Sequence, residues 1–456
     1  MTIKFKFLML FLGLSFCLHS IRGQDEKDTL AISLEEALDY ASRHAFEKIS
    51  SEYDVASARE KIWETIASGL PQIDFSGQYN HSMDVPVSLL PAEIIPEDMR
   101  PPGTESGDKV PVSFSTAYDA NYSVSATQML FDGSYFVGIQ ATQVFLDLTR
   151  HQEEKTDIEI RDAVAKAYFL VLSANENLKA FEKTLEINES LLRETKALYE
   201  NGFRESVDVS QMKLNVRQNQ KQIVEIKRNQ KVALSVLRFT MGLSEDHPVK
   251  LTDSLDILSQ RAANDDPNNK GWAPEAHVDS RIAATNVESQ KLQFKNVRAE
   301  YLPKINAFYT FQKTGYDDEM NLFDQDWYKS QFVGLSVSIP IFSSGMRHAR
   351  AQQQKLAWEK SKNEQQQTLR QVKTNGLTAL TEYNSAIDEF ELAKESEELA
   401  REIYEQTRSG FVNGMTGSFE LTQQQEQYIQ KQISYIQAAL EVLNTHTNYL
   451  KATGHL

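Results

Sequence analysis

Phe131-Asp132-Gly133 opens and Asn201-Gly202 closes the stretch around which this chain is organised. From residue 134 to Tyr199 it holds no proline and a single glycine, Gly138. Leu178, Phe181, Leu185, Leu192 and Tyr199 recur at spacings built from three and four, the seam of a helix rather than the alternation of a strand. At ~1.5 Å per residue such a helix is on the order of 100 Å long, well beyond what a globular domain uses. Asn-Gly then offers a left-handed turn at little cost, and the helical pattern resumes at Val207 and runs to Leu243. The expected product is an antiparallel helical hairpin over about residues 134–243, a rod built for reach.

Ahead of this hairpin the chain reads as helix, strand, strand. Ser33, with Glu36 three residues on, forms a capping box for a helix expected to run to Ser68, where Gly69-Leu70-Pro71 stops it. Over about 72–84 the period switches to two: Ile73, Phe75, Gly77, Tyr79 and Met83 alternate with Asp74, Ser76, Gln78, Asn80 and Ser82. Val85 to Pro111, with six prolines, reads as a long irregular loop. The alternation returns over about 113–131, with Tyr118, Ala120, Tyr122 and Val124 against Asp119, Asn121, Ser123 and Ser125.

A polar connecting segment, 244–276, follows, and then the plan repeats. Tyr301-Leu302-Pro303 stands where Gly69-Leu70-Pro71 stood, strands are expected over about 304–314 and 331–342, and a second helical hairpin over about 345–450 turns at Asn413-Gly414. Six residues beyond Gly202 and Gly414 come Asp208 and Glu420, and nine beyond come Gln211 and Gln423. A register held this closely marks an internal duplication, residues 24–243 and 277–456, rather than two unrelated coiled coils.

The N-terminus reads as an export signal over residues 1–23: Lys4 and Lys6, the apolar run Phe7 to Leu18, then Ile21-Arg22-Gly23. Lipid attachment at Cys17 competes with simple export, but Phe16 stands where a lipobox needs a small residue. Cys17 is the only cysteine, so the mature chain is held by packing and assembly without a disulfide. Without Lys4, Lys6 and Arg22 the chain keeps 45 basic against 64 acidic residues. That balance argues against nucleic acid and against docking to an anionic lipid surface.

No segment after residue 23 approaches the ~20 apolar residues of a membrane helix, and a mean hydropathy of −0.46 excludes a helical membrane bundle. Strands remain open, because membrane strands are only weakly apolar on average. The four alternating stretches carry one apolar and one small-polar face. In a bilayer the apolar face meets lipid, and Asp74, Ser76, Asn80, Asp119, Asn121 and Ser123 face an aqueous lumen. A four-stranded sheet cannot stand open in lipid, and closed membrane barrels need ~8 strands or more, so four strands per chain demand a homo-oligomer.

The Leu34-Glu35-Glu36-Ala37-Leu38 start, the paired Leu-Pro before each first strand, Phe131-Asp132-Gly133 and Phe342-Ser343-Ser344-Gly345 before the long helices, and the two Asn-Gly tips together resemble the TolC-type outer-membrane efflux proteins. The match covers Ile32 to Gly454. It implies a mainly α chain of two tandem helix–strand–strand–long helix–turn–helix repeats. Trimerisation would then make a 12-stranded outer-membrane barrel on a 12-helix periplasmic tunnel. The segment 244–276 and the C-terminus would form an equatorial belt.

The resemblance further implies an exit duct for efflux or type I secretion, with a periplasmic adaptor and, through it, an inner-membrane transporter as partners. Asp208 and Glu420 then ring the periplasmic constriction, where convergent carboxylates favour cations. Asn201, Gly202, Phe203, Asn413, Gly414 and Met415 form the tips that meet the adaptor. Thr416 stands near where some members have a gate-latching arginine and Phe411 where some have a tyrosine, so the closed state is expected to rest on packing rather than a polar latch. Asp208 and Glu420 have a simpler reading as first-turn acids that complement a helix dipole. Trp327-Tyr328 and Tyr135-Phe136 read either as membrane-interface aromatics or as exposed loop and helix residues.

No catalytic set, nucleotide motif, metal-ligand spacing or cofactor signature is present, and the nine histidines are scattered. The expectation is a non-enzyme. A non-channel periplasmic coiled-coil protein, structural or an adaptor, is the alternative; it predicts one hairpin and soluble β domains in place of two hairpins and strands of membrane length.

Overall fold

The computed structural model describes residues 30–266, 271–320 and 325–456; the export signal and Cys17 lie outside the described residues. These gather into two compact units, each built from separated stretches of chain.

One unit comprises Phe46–Asp162, Ala262–Leu392 and Glu441–Leu456. Its centre is an antiparallel sheet of β2 (Gln72–His81), β5 (Tyr118–Asp132), β7 (Lys304–Asp317) and β8 (Trp327–Ser338), in the order β2-β5-β7-β8. The register sorts the side chains. Ser76 lies opposite Ser123, Asn121 opposite Thr314, and Gln312 opposite Ser330, so one face runs polar across all four strands. Phe75 lies opposite Val124, Val124 opposite Phe311, and Tyr309 opposite Val333, which makes the other face mainly apolar, with Lys313, Lys329 and Gln331 on it toward the β7–β8 turn. Ile73, Phe75, Val333, Leu335 and Val337 on that face are exposed.

Each strand of this sheet adjoins a helix in the chain, β5 without a break and the others across short connections. α2 (Phe46–Ala67) leads into β2, β5 into α3 (Gly133–Glu200), α6 (Val278–Ala299) into β7, and β8 into α7 (Met346–Val412). Helix neighbours follow strand neighbours. Lys48 of α2 reaches Glu153 of α3 at 2.7 Å, Lys155 of α3 reaches Asp279 of α6 at 2.9 Å, and Phe294 of α6 stacks on Trp358 of α7 at 6.1 Å.

The segment expected to be an irregular loop before β5 is ordered. β3 (Val87–Pro91) and β4 (Lys109–Ser113) pair around a small core of Ala92, Ile95 and Val110. Pro91 and Pro96 start two short 3-10 turns, and Pro111 is tolerated because a two-stranded ribbon has only edges. Glu93's own backbone N–H first, then Ser106 Oγ and Gly107 N, donate to its carboxylate and hold it below the usual range. β4 ends at Ser113 and β5 begins at Tyr118, so the alternation read from residue 113 is interrupted: Ser113 Oγ bonds the Ser115 carbonyl and Thr116 Oγ1 that of Tyr118.

The other unit comprises the described residues up to Ala45, with Ala163–Arg261 and Ala393–Leu440. β1 (Leu30–Ile32) pairs in parallel with β6 (Val249–Leu251), and α5 (Leu255–Ala263) follows, so the connecting segment carries structure of its own. Tyr168 donates to Asp253 Oδ2 at 2.8 Å and lies 3.1 Å from the Ile32 carbonyl; burial first, then the aspartate, push its phenol up. α4 (Ser206–Met241) returns from the tip and ends at Gly242, whose φ of 74° and contact with the His44 carbonyl leave no room for a side chain.

The single helix expected from Ser33 to Ser68 is two. α1 (Leu34–His44) starts with the capping box of Ser33 and Glu36 and stops at Ala45, whose backbone turns extended. Ala37, Ala41 and Ala45 are fully buried, and the carbonyl of His44 abuts Gly242. Long-range packing breaks the helix where no proline or glycine announces it.

Candidate channel wall and tip turns

The tip turns are built alike. α3 ends at Glu200, and Gly202, at φ 78°, donates to Tyr199 O at 2.9 Å while Phe203 N reaches back to Leu198 O at 2.9 Å. α7 ends at Val412, and Gly414, at φ 76°, donates to Phe411 O at 3.0 Å while Met415 N reaches Gly410 O at 2.8 Å. Both are Schellman closures, which need a residue free to adopt positive φ. Asn201 and Asn413 each return a side-chain amide to the carbonyl four residues earlier, at 2.8 and 2.9 Å. Phe203 and Met415 are left exposed at the turns.

Asp208 is the third residue of α4, where its carboxylate accepts the Glu205 backbone N–H at 3.3 Å in a capping box. Glu420 holds the same place in α8 (Ser418–Thr453) and is exposed. Further in, Asn215 donates to Thr422 Oγ1 at 3.0 Å, and Leu191, Met212, Tyr404, Phe411 and Leu421 form an apolar plug. Burial pushes the Tyr404 phenol up to about 12.

One residue escaped the sequence reading. Arg204 lies with its guanidinium 4.2 Å over the Phe411 ring and donates to the Phe411 carbonyl. Its counterpart in the second repeat is Thr416, which donates within its own hairpin, to Thr407 O. The contact between the hairpins therefore combines packing with polar links, Arg204 to Phe411 at the turn and Asn215 to Thr422 further in, and the arginine comes from the first hairpin. Comparing the repeats position by position would have paired Arg204 with Thr416; its partner lay 207 residues away.

On the sheet, Asp74, Ser76, Asn80, Asp119, Asn121 and Ser123 share the polar face. Ser76 and Ser123 hydroxyls meet at 2.8 Å, and Asn80 donates to Asp119 at 2.8 Å. Tyr79, Tyr118, Tyr122 and Trp327 cluster on the apolar face near its hairpin end, with Tyr122 and Trp327 rings 5.2 Å apart. Tyr328 turns to the polar face opposite Thr314. Tyr135 is half-buried and donates to Ile66 O at 3.0 Å; Phe136 is exposed. The sheet ends at β2 on one side and β8 on the other, with no further strand of the described residues beside either. Among the described residues no helix is long and apolar enough to cross a membrane, and no cluster of three metal-ligating side chains forms.

Chain-wide comparison agrees with this wall of strands and helices. The family described as outer membrane efflux protein matches residues 49–243 and 277–455, one match on each repeat. The chain belongs to the outer membrane efflux protein family. Among solved structures, the CusC channel is 14% identical, with 93% of each chain covered and a TM-score of 0.67. VceC of Vibrio cholerae is 13% identical over 92% of this chain and 96% of its own, at 0.65. The open state of MtrE from Neisseria gonorrhoeae is 14% identical over 92% and 88%, at 0.65. At such identities the structural likeness speaks for the fold. No curated protein sequence matches. As a member of this channel-forming family, the efflux protein is an outer-membrane exit duct that spans into the periplasm; the adaptor alternative is not favoured.

Proposed function

We propose that three copies of the efflux protein close one barrel and one helical tunnel, forming a passive conduit whose periplasmic end is the pair of tip turns. The observation that carries this reading is the open four-stranded sheet, apolar and exposed on one face, with β2 and β8 at its edges. At ~3.3 Å per residue the ten-residue β2 is about 33 Å long, enough for the ~25 Å apolar band of an outer membrane at the usual tilt. Unpaired edges are intolerable in hydrocarbon, and pairing β8 of one copy with β2 of the next removes them. The helices agree: Phe46, Tyr53 and Trp63 of α2 and Leu356, Leu377 and Leu392 of α7 are exposed on the two outermost helices of the unit, where neighbouring copies would cover them.

In this reading Asp208 and Glu420 line the periplasmic constriction, and Asn201, Gly202, Phe203, Asn413, Gly414 and Met415 meet a periplasmic adaptor that couples the duct to an inner-membrane transporter. Energy and choice of cargo, whether small molecule or exported protein, belong to that transporter. Purified protein should run as a trimer in unheated gels and conduct ions in planar bilayers. A monomer without conductance overturns the proposal.

A further inference from the structure

The two repeats differ in charge where their helices meet the strands. In the second repeat, residues 291–304 and 343–362 hold nine Lys and Arg against two Asp and Glu. The corresponding residues of the first repeat, 59–72 and 131–150, hold three against four. A chain of net charge −16 has thus gathered a basic band beneath one pair of strands and not beneath the other.

Within that band the end of α6 and the first turns of α7 enclose an open cleft of about 390 Å³, lined by Phe294, Arg298, Tyr301, Ala351, Gln352 and Lys355. Several of the band's cations are already engaged: Lys304 with Asp132 at 2.9 Å, Arg350 with Glu300 at 3.3 Å, and Lys362 over the Trp358 ring at 3.7 Å. Arg298 has no carboxylate within reach among the described residues; its guanidinium stands 5.8 Å from the Phe294 ring. Lys355 has only exposed Glu359 at 3.8 Å, an ion pair too long and too wet to hold it.

The cleft's level follows from the strands. β8 ends at Ser338, and the residues after it keep apolar side chains in the open, Ile339, Ile341 at 93% and Phe342 at 84% exposed, before α7 begins at Met346. On the other side β7 begins at Lys304, three residues beyond Tyr301. The apolar skin therefore stops just above the cleft. The headgroup zone of a bilayer is roughly 5–8 Å deep on each side, within reach of a lysine or arginine that extends toward it.

We propose that this cleft holds the headgroup of an anionic phospholipid of the periplasmic leaflet. Arg298 presents its planar fork to the phosphodiester, Lys355 supplies a second positive charge and the Tyr301 hydroxyl a third donor, while the acyl chains lie against Ile341 and Phe342. The inference rests on the outer-membrane reading and goes beyond it by giving the wall one lipid-specific side in each copy. Near an anionic surface each basic residue is worth on the order of fivefold in affinity.

The test is native mass spectrometry of the full-length protein in detergent, titrated separately with phosphatidylglycerol, with phosphatidylcholine of the same chains, and with inorganic phosphate. Retention of phosphatidylglycerol about tenfold or more above phosphatidylcholine is expected. Arg298→Ala with Lys355→Ala should abolish that preference, as should the milder Arg298→Gln with Lys355→Gln, whereas Lys179→Ala with Lys183→Ala should keep it. Equal retention of both lipids, an unchanged preference in both double variants, or binding of free phosphate without a lipid preference overturns the proposal. Bilayer conductance of the same samples separates the two readings: a conducting wild type without lipid preference fails this inference alone, while a silent one fails the duct.

Discussion

The two repeats share a backbone and differ in chemistry. Both tips close through a glycine near +77°, an asparagine that caps its own helix and an exposed apolar residue. Yet Arg204 occupies the place of Thr416, Leu185 that of Glu397, and the helices below β7 and β8 are basic where those around β2 and β5 are not. Backbone conformation is dictated locally, by positive φ and by helical and strand periods, so duplication preserves it. Side chains answer to their neighbours. In the proposed ring of alternating repeats the two halves would meet different ones.

The largest effect should come from testing whether both repeats contribute equally to the membrane wall. Val124→Arg in the first repeat and Val333→Arg in the second each put a charge on the apolar face, at about 2–4 kcal/mol near the bilayer midplane. Ser123→Arg and Ser330→Arg, on the polar face, should cost under about 1 kcal/mol. Denaturation in lipid vesicles reads the difference; a Val124→Arg protein no weaker than Ser123→Arg would break the equivalence.

At the tips the repeats should differ. Arg204→Ala removes a ring contact and a charged hydrogen bond, about 2 kcal/mol from the closed contact, and should increase open time in single-channel records. Thr416→Ala loses a bond within its own hairpin and should shift open time by less than about twofold. Equal effects would mean that the arginine carries no special part of the closure.

The paired acids sharpen the same comparison. Alanine at both Asp208 and Glu420 should weaken block by divalent cations added from the periplasmic side, on the order of tenfold, because two carboxylates would leave the proposed constriction. Asp208→Ala alone should also cost about 1 kcal/mol of stability through its lost cap, a penalty not expected of Glu420→Ala. Unchanged block would return both acids to a purely helical role.

The smallest effect concerns pH. Burial, more than any neighbour, raises the carboxyl of Glu397, with Arg401 opposing the shift. A raised acid stabilises the fold when protonated; that contribution is complete below the ordinary range near ~4.3 and is lost as pH rises through the raised value. Glu397→Gln should flatten this decline in thermal melts across pH, with Leu185 of the first repeat as the precedent for a neutral side chain there. A variant whose melting temperature still falls in parallel with the wild type would assign the decline elsewhere.

The strands, the long helices and the Asn-Gly tips were legible because each follows from residues close in sequence: alternation, three–four spacing, a glycine free to turn. Two misreadings had the opposite cause. Ala45 looks like any helical alanine, and what ends α1 there is a carbonyl packed on Gly242, nearly two hundred residues on. The proline-rich stretch 85–111 hides a ribbon because its core is only Ala92, Ile95 and Val110, too few residues to set a period. At the candidate site, Asp208 and Glu420 could be named from the register, but the capping bond of Asp208 and the reach of Arg204 to Phe411 required folded neighbours.

By itself, then, the sequence determined a duplicated chain of paired strands and long helices with matched turns, since periodicity and backbone freedom act over a few residues. The pairing of β5 with β7 that joins both repeats in one sheet, the parallel clasp of β1 with β6 and the arginine at the tip were decided by tertiary structure. Each joins residues more than a hundred positions apart, and no local preference can choose such a partner.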